Sequence, residues 1–274
     1  MMIAKHTTGI VIWTFWQVLA FGQSGTVLST PISIDINNQR PLPQALLEVQ
    51  DLTHTPINFE ETPYQNSNDI ISRTVTGLNG RQVHLVSPKG GHLRASLPKG
   101  ESGYEAIQTL LSGYYSAGLP GSYVVTQTAN AVNILPETFL NLPGASQTAA
   151  PLLNQPVSFP EAARNIPATF QLIVDGMVKA TGVNVVLSNV PFPDYSLISV
   201  GASQESAASV LAKITAKLRP FSCFLLYDPS AKTYHLTVRI VPFPAGSTSA
   251  NQPQPGVSLG VTRPTQSHFF EKDN

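Results

Sequence analysis

The 274 residues predict an α+β fold of two tandem βαββαββ modules, each with two helices packed on small mixed sheets, followed by a disordered tail. Three observations carry that expectation. Short strand patterns alternate with helical patterns rather than grouping by type. The same order of elements occurs twice along the chain. The chain is also long enough to bury a core in each half, with an ordinary hydrophobic share of 42%.

The first module is expected over residues 28–142. Ile32, Ile34 and Ile36 alternate with Ser33, Asp35 and Asn37, the period of a half-buried strand. Pro41 and Pro43 open a helix whose Leu46, Leu47, Val49 and Leu52 share a face. Ile57-Asn58-Phe59 follows as a strand. A polar stretch at about 62–81 reads as an insertion. Val83 to Val86 and Leu93 to Leu97 then read as a hairpin turned at Ser87-Pro88-Lys89-Gly90-Gly91. Glu101 to Ser116 carries Ala106, Ile107, Leu110, Leu111 and Tyr114 at helical spacing, and Tyr123–Thr128 with Val132–Leu135 closes the module as a hairpin. Residues 143–155 are expected to be a linker.

The second module is expected over 156–242. It begins with a strand at Val157-Ser158-Phe159, and a helix opens near Pro167 with Phe170, Ile173, Val174, Met177 and Val178 as its stripe. Strands at Val183–Leu187 and Leu197–Val200, a helix from Glu205 to Leu218, and a hairpin of Phe221–Tyr227 and Tyr234–Val241 follow. Pro41, Leu46 and Thr55-Pro56-Ile57 fall against Pro167, Leu172 and Thr181-Gly182-Val183 at one constant spacing. Glu101-Ser102, Ile107 and Leu110 fall against Glu205-Ser206, Leu211 and Ile214 at a shorter one, which is what places an insertion in the first copy. Residues 243–274 hold Pro-Ala-Gly-Ser-Thr-Ser and Asn-Gln-Pro-Gln-Pro-Gly with no apolar period, the composition of a disordered tail.

Residues 1–22 have the layout of a secretory signal peptide. Lys5 and His6 precede an apolar run from Gly9 to Phe21, and Ala20 and Gly22 supply the small residues that place cleavage between Gly22 and Gln23. A spanning helix needs roughly 20 residues, so this shorter run implies an exported chain, periplasmic or secreted, with no stable membrane insertion after cleavage. The sixteen basic and sixteen acidic residues cancel. Nucleic-acid affinity comes mainly from clustered Lys and Arg, so no nucleic-acid partner is expected.

The stretch Ile32-Ser33-Ile34-Asp35-Ile36-Asn37-Asn38-Gln39, leading to Pro43-Gln44-Ala45-Leu46 and then Thr55-Pro56-Ile57-Asn58-Phe59, resembles the short N-terminal domain shared by secretins and TonB-dependent transducers. The resemblance covers most of 28–136 as pattern and extends more faintly over 156–242. It rests on apolar spacing rather than on chemistry, and nothing after residue 242 could supply an outer-membrane barrel. What the resemblance implies is a non-enzymatic module of the bacterial envelope that docks onto an envelope protein. A component of a ring-forming envelope assembly is the alternative, and an exported enzyme with an unrecognised active site is another.

Residues able to carry chemistry are few. No Gly-x-Ser-x-Gly elbow occurs, and no nucleophile–base pair stands out, so no catalytic residue is assigned. Cys223, the single cysteine, lies in an apolar strand and reads as a small buried hydrophobe. His84 and His92 fall on the expected hairpin without the neighbours a metal needs, so no metal or cofactor is assigned. Glu60-Glu61, and Glu101 with Glu105, are paired carboxylates. Acid–base work would require raised pKa values in a pocket, and Glu101 reads more simply as favouring the start of its helix. Phe59, Tyr114, Tyr115 and Tyr123 read as core aromatics rather than a sugar-stacking surface. Lys213, Lys217 and Arg219 read as a solvated basic face.

Overall fold

The computed structural model describes residues 26–76, 79–193 and 195–242. The expected signal peptide, its Gly22–Gln23 cleavage point and the tail at 243–274 lie outside them. Helices and strands intermix along the described chain, and the fold is α+β.

Isoleucine alternation makes β1 (Ile32–Asn38) a strand with one buried face. A helix, α1 (Pro41–Thr53), starts on prolines that preset its first turn and ends where His54 turns left-handed at φ 54°. Next come β2 (Ile57–Glu60), a single 3-10 turn at Ser67–Asp69, β3 (Ile70–Thr76), β4 (Gln82–Pro88) and β5 (Gly91–Leu97). Then α2 (Gly103–Ser116) begins at a capping box: Ser102 Oγ accepts from Glu105 N–H, and the Glu105 carboxylate accepts from Ser102 N–H. Glu105, rather than Glu101, is therefore the acidic residue at this helix start. Strands β6 (Ser122–Gln127), β7 (Val132–Leu140) and β8 (Ser146–Thr148) follow, with a 3-10 turn at Leu152–Asn154.

The second half runs β9 (Pro156–Asn165), α3 (Ile166–Thr181), β10 (Asn184–Asn189), β11 (Leu197–Ser206), α4 (Ala207–Lys217), β12 (Phe221–Asp228) and β13 (Thr233–Ile240). Asn165 caps α3 by accepting from Ala168 N–H at 2.7 Å, and Ser206 caps α4 by accepting from Ser209 N–H at 3.2 Å. Glu205 thus belongs to the preceding strand, not to the helix.

The main sheet has the order β10-β13-β12-β2-β7-β6, with β8 pairing on β7. Within it β2 runs parallel to β7, which is antiparallel to β6; likewise β10 runs parallel to β13, which is antiparallel to β12. What joins the halves is β12, parallel to β2 through Cys223↔Asn58, Phe224↔Phe59 and Leu225↔Glu60. Two separate antiparallel pairs, β1–β5 and β9–β11, complete the halves. One core cluster holds Ile34, Leu46, Phe59, Leu110 and Ile134, and the other holds Phe170, Met177, Leu211, Cys223 and Leu236. Neighbouring residues on a strand face opposite sides. Accordingly Phe224 of the second half enters the first core, while Cys223 and Leu225 stay in the second. The near-continuous apolar run Phe-Ser-Cys-Phe-Leu-Leu-Tyr is what a strand covered on both faces requires.

Three expectations need correction. Val83–Val86 does not pair with Leu93–Leu97: β4 pairs with β3, and β5 pairs with β1 in the register Ile32↔Leu97, Ile34↔Ala95, Ile36↔Leu93. Burying the three isoleucines of β1 against an apolar strand outweighs a local turn. Gly90, at φ +67°, allows the chain to leave β4 because a Cβ there would be driven into the backbone carbonyl of Asn38. The inserted hairpin consequently runs from Ile70 to Pro88, beyond the 62–81 expected. Third, residues 143–155 are not a free linker: β8 pairs with β7, and Leu152 and Leu153 are buried in the second core.

Candidate functional site

The join between the halves gathers the buried charges. Glu60 closes β2, and Glu61 follows it; they are 2% and 1% exposed. Strand alternation sends the two carboxylates to opposite sides. Glu60 Oε1 accepts from Leu152 N–H at 2.8 Å and Oε2 from Leu153 N–H at 2.9 Å, so one side chain fastens the segment that connects the halves. Glu61 is ion-paired with Arg40, accepts from Tyr64 OH at 2.7 Å and from Tyr227 N–H at 2.9 Å. Arg40 also donates to the Tyr227 carbonyl at 2.6 Å, and Tyr234 OH donates to the Glu61 carbonyl at 3.2 Å. First-half Arg40 and Glu61 thereby grip second-half Tyr227 by both its backbone groups. A cleft of about 400 Å³ opens beside this cluster, lined by Glu60, Phe139, Gln147, Tyr227, Lys232 and Tyr234.

Burial pushes the Glu60 carboxyl up from its ordinary 4.5 to about 7, although the Leu153 and Leu152 N–H groups pull the other way. Burial also raises Glu61, against the opposing charge of Arg40. Because the Glu60 value is higher folded than unfolded, the folded chain holds a proton between pH 4.5 and about 7 that the unfolded chain has released. Stability from this group is complete below 4.5 and is lost as pH rises through about 7, a change on the order of 3 kcal/mol. The urea midpoint should therefore be higher at pH 5 than at pH 8, with Glu61 acting in the same direction. Glu60→Gln should shrink the difference; an equal pH dependence in that variant would show that Glu60 titrates as an ordinary carboxylate.

Both Glu60 oxygens are committed to backbone N–H groups, so the raised carboxyl faces the cleft as a fastening and not as a free acid. Cys223 is fully buried, and burial pushes its thiol far above the ordinary range, which suits packing and not nucleophilic work. Phe59, Tyr114 and Tyr123 are core residues, whereas Tyr115 is 43% exposed at the β6 edge. His84 and His92 do not meet. His84 hydrogen-bonds Ser72 at 2.8 Å, and His92 contacts Asp35 beside Arg94. Ser188 bonds His235 at 2.9 Å. Among the described residues neither Ser–His pair has a carboxylate hydrogen-bonded to the ring's other nitrogen, which an activated serine needs to orient its base. Lys213 is paired with Glu205, and Lys217 donates to the Ser199 carbonyl at 2.7 Å.

What the sequence does not show is strand β3, and with it the pairing β3–β4, and the role of Arg40. In the hairpin, Val75↔Val83 and Arg73↔Leu85 are cross-strand partners, so Val75, Val83 and Leu85 share one face. They are 41%, 41% and 47% exposed. Ser72, Thr74, His84 and Gln82 occupy the other face. The sequence reads Val83–Val86 as a strand but leaves its partner, Ile70–Thr76, inside a stretch read as polar. Among the described residues no helix is long and apolar enough to cross a membrane. Comparisons with protein-family models, curated proteins and solved structures found no match.

Proposed function

We propose that this chain is an exported, non-enzymatic protein-binding or scaffolding module of the bacterial envelope, acting in the periplasm or outside the cell on an envelope protein. The observation that carries the reading is the β3–β4 hairpin. A two-stranded hairpin is marginally stable alone, and an amphipathic one normally lays its apolar face on a core. This one keeps Val75, Val83 and Leu85 open to solvent, and among the described residues neither outer edge of the pair has a strand partner. Such a face and edge suit a partner that adds a strand or covers the valines. The expected leader and the resemblance to the short secretin and TonB-transducer domain support the envelope setting.

The test is capture of the tagged protein from its host's envelope after mild cross-linking, run beside a Val75→Thr, Val83→Thr, Leu85→Thr variant. A reproducible partner should be retained by the wild type and fall by roughly tenfold with the variant, the scale of a lost apolar anchor. Circular dichroism confirms that the variant is folded. A partner retained equally by both proteins would move the binding surface off the hairpin, and empty capture from both would sink the docking reading.

A further inference from the structure

We propose that the outer edges of the main sheet join copies of this chain, with β6 of one copy lying parallel beside β10 of the next. This rests on the protein-binding reading and gives it a second partner, the chain itself. The internal joint is the template. Each half contributes three strands to the sheet in the same relation, β2-β7-β6 and β10-β13-β12. At the joint β12, third in its half, lies parallel to β2, first in its half. That leaves β6, the counterpart of β12, and β10, the counterpart of β2, at the two ends of the sheet. One more joint of the same kind, made between copies, would continue the sheet.

Both ends have the composition for it. Strand β6 reads Ser-Tyr-Val-Val-Thr-Gln and β10 reads Asn-Val-Val-Leu-Ser-Asn. Neither carries the lysine, proline or inward charge with which monomeric proteins blunt an edge. Each shows a valine to solvent, Val124 at 43% and Val186 at 48%. Thr128 N–H donates to the Ala131 carbonyl, so the even-numbered residues of β6 bond β7 and the odd-numbered ones face outward. Val125 has no hydrogen-bond partner for those outward groups among the described residues. The zero formal net charge adds no repulsion between copies.

One guard stands on this edge. Tyr115 OH accepts from Tyr123 N–H at 3.0 Å and donates to the Tyr123 carbonyl at 3.1 Å, occupying the outward groups of that residue. In β12 the corresponding edge is taken by β2, where Cys223 pairs with Asn58. The Tyr115 ring is half exposed and can swing away, so its hydroxyl sets how readily the edge opens. A joint of this kind is head-to-tail, and it builds a ring if the rotation closes and a filament if it does not.

The test is light scattering on size-exclusion fractions of the purified full chain over a concentration series. Wild type should associate as concentration rises, and Tyr115→Phe should associate at roughly tenfold lower concentration. Val124→Lys and Val186→Lys, on opposite ends of the sheet, should each leave the protein monomeric, with circular dichroism confirming the fold. Monomers throughout for both wild type and Tyr115→Phe would overturn the proposal, as would association unaffected by either lysine. A monomer that still captures an envelope protein would overturn only the self-joint and leave the hairpin reading standing.

Discussion

Replacing Arg40 by alanine is expected to destabilise the fold by about 3–5 kcal/mol, because it strands the Glu61 carboxylate in the interior without its counter-charge. Glu61 is 1% exposed, so water cannot take the place of the guanidinium. The same substitution removes the donor to the Tyr227 carbonyl, loosening the second half from the first. A domain of this kind has about 5–15 kcal/mol in all, so the loss would show as a large fall in urea midpoint. Adding Glu61→Gln to Arg40→Ala should recover part of that loss, since the double variant buries no unpaired charge. A cost below about 1 kcal/mol, the worth of an exposed pair, would mean that the pair is open to water.

Phe224→Ala is expected to cost about 3–5 kcal/mol by emptying a site filled from across the joint. Phe224 is 4% exposed and packs on Phe59 with ring centroids 6.0 Å apart. It belongs to a second-half strand but to the first-half core, so its loss should weaken both halves at once. Thermal unfolding of the wild type should accordingly be one transition, and the variant should shift that whole transition downward. Two resolved transitions, with only one of them moved by Phe224→Ala, would show that the halves fold as separate units.

Much of the element content was legible because it is local. The isoleucine alternation of β1, the prolines opening α1 and α3, the apolar stripe of α2 and the apolar hairpin β12–β13 each act over a few residues, and each lies where the sequence puts it. Cys223 as a buried hydrophobe was legible for the same reason, since a lone thiol between apolar neighbours has little else to do. The site was much less so. Glu60-Glu61 could be noticed as a carboxylate pair, but its burial depends on Arg40, on Leu152 and Leu153, and on Tyr227, which are brought there from three other places in the chain. Strand β4 is legible in Val83–Val86, but its partner β3 is not, because a two-residue period interrupted by Ser, Arg and Thr resembles a polar loop.

Local sequence, then, determined an α+β chain of short strands and amphipathic helices, low in charge and without nucleophile–base or thiolate-cage motifs. Periodicity and capping determine this much because their energies depend on neighbours within a turn or two. Tertiary structure alone decided which strand edges meet. It took β5 from β4 and gave it to β1, turned an expected linker into β8 and a buried turn, and joined two halves through β12 and β2 into one sheet. Strand pairing is non-local: any strand offers the same backbone groups to many partners, and the choice falls to the arrangement that buries the most apolar surface while pairing most of the buried polar groups. The charges at the join follow that choice, and so do the two edges left open.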